Sequence, residues 1–507
     1  MSAATRAPGP RPGEMWGLLR DRRRDPLSLH RRLRDAYGGV VHVRLGGLSQ
    51  FLVSDPEAAR HVLVDNAQNY TKGPGYALLA KVMGRGLVTS EGEHWRGHRR
   101  VVQPALHRSR LAAFVPVMLS TALEEALELE ALAGRRAPGE AEPGATVDVY
   151  ERMSLLALRI VGRTVLGAEI AAREAEVHGA VAAVLDRTER LSTSGLRVLA
   201  LLPGGDRLRW IPAVAFALPT PAKRRFDDAI RFLDGVIYDL VVRRRREISG
   251  AARARGGSDQ PEPTSPDAGP RDLIGLLLRA SEEEGAAFTD EDVRDEVMTM
   301  FIAGHETVAT ALTWTLYLLA RNPAYQDRIA EEADAVLGAE PSDPPSLDDV
   351  ARLDTARRVF LEASRLYPAV WRFTRWAVGP DRIAGYAVPA GSVIGVSPYL
   401  LHRDPGFWPD PERFDPARFD PGPARERTRG AYLPFALGQR MCPGGSFATV
   451  EAQIVLSTLL RRVAFAGGDA EPTFEPRITL RPRGGMPLRV VPARAPSPRA
   501  TSSPPIP

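Results

Sequence analysis

FALGQRMCPGG, Phe435 to Gly445, holds the only cysteine of the 507-residue chain, and the rest of the sequence is read against it. Gly438 and Gly444 bracket Cys442 and remove side chains where a backbone must turn tightly or lie against something flat. Pro443 suits the first turn of a helix, and SFATVEAQIVLSTLLRRV continues with apolar residues at helical spacing. Cys442 is therefore expected at a helix N-terminus, where partial positive charge favours thiolate over thiol. Arg440, two residues earlier, adds a cation.

Several readings of that cysteine compete. It could be a small buried hydrophobe. A zinc site would need further Cys or clustered His ligands, and no such cluster is visible. A catalytic thiol would need a His partner, which nine scattered histidines neither support nor exclude. One thiolate ligating a haem iron fits the surroundings best.

A second element is TDEDVRDEVMTMFIAGHETVATALTWTLYLLARNP, begun by Thr289 or Asp290 with acidic residues in its first turn and ended by Asn322-Pro323. The apolar run Val297 to Ala320 is long enough for a membrane span, but His305 and Glu306 in it would be costly in lipid. We read a long helix crossing a protein core. Ala303 and Thr307 share a face, and a Thr hydroxyl can bond the carbonyl four residues earlier, loosening the helix there. Trp95 and Arg99 in EHWRGHRRVVQPAL also share a face; Arg96 and Arg100 look elsewhere. Glu362 and Arg365 in FLEASRLYP have the three-residue spacing of an ordinary helix ion pair.

Taken together, these motifs resemble the cytochrome P450 family. FALGQRMCPGG is similar to its haem-binding loop FxxGxRxCxG, with Phe435, Gly438, Arg440, Cys442 and Gly444 in register; Ala436 departs from the usual Gly. AGHET resembles the oxygen-binding signature, with small Ala303 and Gly304 letting a flat ring approach and Glu306 and Thr307 delivering protons. WxxxR, Trp95 and Arg99, implies a haem propionate contact. Arg375, ten residues after Arg365, is the choice for a second propionate, ahead of Arg372. ExxR, Glu362 and Arg365, implies a buried structural network with Arg413 of PERF. The resemblance implies a mostly α fold with small β-sheets, the cytochrome P450 fold. It also implies heme b, iron protoporphyrin IX ligated by Cys442, and a monooxygenase using O2. Lys72 to Gly92, glycine-rich, is then the loop that closes over substrate, with Val370 and Trp371 near the pocket. LPTPAKRRF and LYPAVWRFTRWAV resemble bacterial P450s that oxidise terpenes, so the substrate is expected to be a lipophilic small molecule. Alternatives are a haem-thiolate peroxygenase or isomerase, and a haem protein that binds a ligand without turnover.

Composition fits a globular enzyme: 44% apolar and 25% charged residues. We expect one catalytic domain over 15–491, disordered tails at 1–14 and 492–507, and a Pro-rich surface loop at 250–270. Leu191 to Pro221 reads as an apolar roof over a pocket, or alternatively a membrane-touching patch. ITLRPRGGMPLRV reads as a hairpin. The single cysteine excludes an internal disulfide framework and suits a reducing, cytoplasmic setting. Leu18 to Arg34 is rich in arginine and lacks the apolar run of a secretion signal or membrane anchor. Net charge is +5, which suits an acidic partner, while the arginines are spread out and no nucleic-acid motif accompanies them. No flavin or iron–sulfur segment is visible, so a separate ferredoxin and ferredoxin reductase are expected as electron donors to a monomeric enzyme. Arg96 and Arg100 are candidates for docking them.

Overall fold

The computed structural model describes residues 5–493 except 12–13, 15–16, 18–20, 22–24, 46–47, 74–75, 136–142, 168–172, 194–218, 256–271, 284–287, 339–343 and 469–470. The apolar roof at 191–221 and the loop at 250–270 therefore lie largely outside the described residues, as does the tail beyond Ala493.

Helices dominate. In chain order the principal ones are α1 (Pro26–Tyr37), α2 (Ala77–Met83), α3 (Gly92–Ala105), α4 (Val115–Ala133), α5 (Val149–Leu166), α6 (Glu174–Thr193), α7 (Pro221–Arg255), α8 (Leu273–Glu283), α9 (Asp290–Ala320), α10 (Pro323–Leu337), α11 (Asp354–Leu366) and α12 (Gly445–Leu460). α9 is the axis. Thr289 caps it through a reciprocal capping box with Asp292, as the Thr-x-x-Asp sequence dictates. Its second half is buried on every side against α5, α11 and α12, so a helix apolar all round is here a core helix. Trp314, fully buried, donates its indole N–H to the Leu480 carbonyl at 2.6 Å and stacks on Tyr367 at 4.2 Å. Each large apolar side chain buried in this layer contributes roughly 1.5–3 kcal/mol. Among the described residues no helix is long and apolar enough to cross a membrane.

The strands are short. β1 (Val40–Leu45), β2 (Leu48–Val53), β3 (Tyr70–Thr71), β5 (Phe373–Ala377) and β8 (Val393–Val396) form one sheet in the order β1-β2-β8-β5-β3, with β2 and β8 parallel. β4 (Ala145–Asp148), β6 (Asp381–Ile383), β7 (Tyr386–Val388), β9 (Val463–Ala466), β10 (Phe474–Pro476), β11 (Leu480–Pro482) and β12 (Pro487–Pro492) complete three smaller sheets.

Some expectations give way. Thr5 to Pro10, read as a disordered tail, lies against the main sheet and β7: Ala7 is buried, the His42 N–H donates to the Pro8 carbonyl at 2.8 Å, and Thr5 bridges Tyr386. ITLRPRGGMPLRV is no hairpin, because Gly484 and Gly485, both at positive φ, carry the chain across to another sheet. β11 pairs with β10, and β12 runs between β4 and β9. Within Lys72 to Gly92 the apolar residues fold as α2, which buries Val82 and Met83 and contacts α9.

Candidate active site

The loop around Cys442 is closed by its own backbone. The Ala436 N–H donates to Leu433 O at 3.2 Å, Met441 to Gly438 O at 3.0 Å, and Cys442 to Phe435 O at 2.9 Å. Ala436 is left-handed at φ 61°, a conformation that costs a non-glycine residue about 1–2 kcal/mol. Gly438, at φ 76°, is obligatory: a Cβ there would lie 2.2 Å from the Leu63 carbonyl oxygen. The Phe435 ring covers Gly445, where a Cβ would come within 3.3 Å of it.

Cys442 is exposed by surface area, yet protein surrounds it closely enough that burial pushes its thiol up. The Gly444 backbone N–H and the Arg99 guanidinium oppose the rise without overcoming it. Burial is thus the leading influence on this thiol, and a bound metal cation would be what deprotonates it. The nearby cation is also a different one, since Arg440 turns away to the Glu91 carboxylate and donates to Ser90 O at 3.0 Å.

Opposite lies α9. Met300, Ala303, Gly304 and Thr307 keep accessible surface along one stripe, as does Ile302 beside it, while Val308, Ala309 and Thr310 just beyond are buried. The Thr307 hydroxyl donates to the Ala303 carbonyl at 2.6 Å, as the spacing predicts. Gly304 differs from its reading, because the space of its missing side chain is taken by α5: a Cβ would sit 3.1 Å from Val161. Ala303 remains as the small residue on the stripe. Glu306 is buried; it accepts from the Thr479 hydroxyl at 2.6 Å and lies 3.7 Å from Arg481, which pairs with Glu475 at 3.0 Å.

A group of cations gathers beside the Cys442 loop. Lys72, Arg375 and Arg440 feel one another's charge with Glu91 among them, and the Arg440 guanidinium lies 3.8 Å over the buried Trp95 ring. Burial, then repulsion from Arg440, pushes the Lys72 ammonium down to about 7; burial holds Arg440 down to about 10. Three cations beside Glu91, with the buried Glu296 carboxylate also felt by Lys72, make a site where cations outnumber carboxylates, and propionates would suit its charge. Trp95, Arg375 and Arg440 were legible in the sequence. Lys72 and Glu91 were not, because nothing in YTKGPGY marks a lysine that folds back from a glycine-rich stretch. Arg99 is not in this group; it donates to Met441 O at 2.8 Å on the sulfur side. Arg372 stacks on Trp371 at 5.4 Å, and Trp371 is itself a core residue, donating its N–H to Arg477 O at 3.0 Å.

Glu362 and Arg365, fully buried, form a two-point pair at 2.7 and 2.8 Å. Arg365 also donates to the carbonyls of His402, Pro411 and Arg413, and the Asp415 N–H donates to Glu362 at 2.9 Å. Arg413 thus contributes its carbonyl while its side chain is exposed; the third charge is Arg418, 3.5 Å from Glu362. His402, missed in the sequence, links this network to the loop by donating to Arg365 O at 3.2 Å and accepting the Leu433 N–H at 2.7 Å.

His402 and His305 are buried and held neutral, His402 well below its ordinary pKa through burial and the Arg365 charge. Burial, aided by His178, brings His305 down to about 4. The folded pKa lies below the unfolded one, so the unfolded chain takes up the extra proton, and stability is lost as pH falls from about 6.5 toward 4. Urea unfolding should show about 2 kcal/mol lost from His305 alone between pH 7 and 5. His305→Gln should shrink that drop; an unchanged drop would contradict the assignment.

The sequence profile described as Cytochrome P450 matches residues 7–488. The chain is similar to "Cyclooctatin synthase" of Streptomyces melanosporofaciens, 35% identical over 98% of this chain and 96% of that protein. "Cyclooctat-9-en-7-ol 5-monooxygenase" of the same organism is 32% identical, covering 84% and 82%. "Pentalenene oxygenase" of Streptomyces avermitilis is 32% identical, covering 90% and 89%. Among solved structures, the cytochrome P450DA heme domain superposes with a TM-score of 0.75 at 24% identity, over 97% of this chain and 99% of that one.

Proposed function

The chain belongs to the cytochrome P450 family and is a monooxygenase, and we propose that it places one oxygen atom of O2 on a terpene-like hydrocarbon held between Cys442 and the accessible stripe of α9. The family implies a haem-thiolate cofactor. The residues present fit heme b: Cys442 would ligate the iron from one side, Phe435 and the loop glycines would flank it, and Lys72, Trp95, Arg375 and Arg440 would hold its propionates. When bound, that group supplies activation of dioxygen for insertion into an unactivated C–H bond or a double bond.

The carrying observation is the Met300, Ala303, Gly304 and Thr307 stripe, the one part of the helix's middle that keeps accessible surface while presenting a hydroxyl. Thr307 is the residue we assign to holding a proton donor beside the dioxygen being reduced. Glu306 would pass on a proton taken from water, exchanging its bond to Thr479 as it does so, while Arg481 orients its carboxylate. The remaining apolar surface orients substrate and excludes water. The substrate class rests on relatives named for oxidising cyclooctat-9-en-7-ol and pentalenene.

We assign the supply of electrons to a redox partner, as membership of the family implies. A groove of about 610 Å³ lined by Arg96, Arg99, Arg100, His107 and Arg110 lies on the sulfur side, against the exposed Met441, and we assign it to an acidic ferredoxin. The test is turnover of a sesquiterpene and diterpene panel with a ferredoxin and its reductase. Oxygenated product, with a reduction rate that falls as salt rises, is the expected result. Spectral shifts with fatty acids or aromatics and none with terpenes would overturn the substrate class, and turnover with peroxide alone would point to a peroxygenase.

A further inference from the structure

His94 and His98 stand one turn apart on α3 and face the first turn of α9. Each of His94, His98 and Asp292 offers a ligand atom within 4.8 Å of the others'. The second nitrogens are already engaged. The His94 Nε2–H can donate to the Arg85 carbonyl at 3.0 Å, and the His98 Nδ1–H to the buried Glu296 carboxylate at 2.6 Å. Those bonds fix tautomers that leave lone pairs on His94 Nδ1 and His98 Nε2. Asp292 is oriented in the same way: its Oδ2 accepts from the Thr289 N–H at 3.0 Å and hydroxyl at 2.7 Å in the helix cap, leaving Oδ1 turned to His98 Nε2 at 3.3 Å.

We propose that His94 Nδ1, His98 Nε2 and Asp292 Oδ1 form a binding site for a divalent first-row transition ion, such as Zn2+, that joins α3 to the start of α9. Two imidazoles and a carboxylate are a usual donor set for such ions, with a fourth position left to water. The outer partners are of the expected kind too: ligating histidines characteristically pass their other N–H to a carbonyl or a carboxylate, here Arg85 and Glu296. A lone pair on His98 Nε2 facing a carboxylate oxygen at 3.3 Å is repulsive unless a cation or a proton lies between them. Glu296 is fully buried, and its second oxygen has no hydrogen-bond partner, which leaves negative charge at the site for a dication to offset. His94 and Asp292 keep partial exposure, so an ion can enter from solvent. The site adjoins the cation group that would hold the propionates: Lys72 feels the Glu296 charge, and α3 carries Trp95 of that group.

The experiment uses haem-loaded protein stripped with chelator and titrated with Zn2+, read by metal content after gel filtration and by thermal unfolding. About one Zn2+ per chain should stay bound and raise the melting temperature. His94→Ala, at a partly exposed position, should weaken binding at least about tenfold and abolish the thermal shift, and Glu296→Gln should weaken it by about 10–100-fold. The haem absorbance of each variant checks that it is folded; should His94→Ala fail that check, His94→Gln serves instead. Wild-type protein that retains no Zn2+, or retention unchanged in the His94 variant, would overturn the proposal and leave His98 as an imidazolium bridging Asp292 and Glu296.

Discussion

Arg365→Ala is expected to yield no folded, haem-loaded protein. The Arg365 guanidinium, itself fully buried, reaches both oxygens of Glu362 and three backbone carbonyls. Removing it leaves the buried Glu362 with only the Asp415 N–H and the more distant Arg418 and strands three carbonyls, a loss of about 3–5 kcal/mol from breaking one partner of a buried pair. A domain's whole stability is commonly about 5–15 kcal/mol. The damage would also reach the Cys442 loop, because His402 joins Arg365 to Leu433. Arg413→Ala, which removes an exposed side chain and keeps the carbonyl, should stay within about 0.5 kcal/mol of wild type. Thermal unfolding and the yield of haem-loaded protein measure both; an Arg365→Ala variant that melts normally would show that the network carries far less than its geometry implies.

Thr307→Ala should leave a folded protein that consumes reductant but wastes it. The hydroxyl spends its one proton on the Ala303 carbonyl in the resting structure, so its lone pairs are free to hold a donor on the accessible stripe of α9. Without it, protons arrive from unpositioned water. Product per reductant should fall several-fold while hydrogen peroxide rises, an effect smaller than the roughly 10²–10⁴-fold that positioned proton transfer contributes to rate, because unpositioned water still supplies some protons. Thr307→Ser, which keeps the hydroxyl, should restore most of the coupling. The ratio of peroxide to product is the measurement, since a merely structural role for Thr307 would not move it. In a protein that only binds a ligand, the Ala variant would change affinity and produce no such diversion.

What the sequence made legible were residues whose chemistry and spacing are local. The Cys442 loop, the Thr289 cap, the Ala303 and Thr307 pair and the Glu362 and Arg365 pair each lie within one turn or one helix. What it hid were partners brought in by tertiary contact. Lys72 reaches the Arg440 group from a glycine-rich segment far from the loop, and Arg418 rather than Arg413 answers Glu362 because a short turn at Pro416–Phe419 re-aims the chain. Gly304 misled in another way: its smallness suits close packing of Val161 as well as it would suit a ring, and only the position of α5 decides between them. The crowding around the Cys442 sulfur was hidden for a related reason. A helix terminus can be read from sequence, whereas the amount of protein around a sulfur cannot.

The reduced, carbon-monoxide difference spectrum of protein expressed with a haem supply tests the central assignment most directly. A Soret band at the red-shifted position typical of thiolate ligation, lost in Cys442→Ala, is the predicted result. A band at the position typical of histidine ligation, or one that persists in Cys442→Ala, would contradict it.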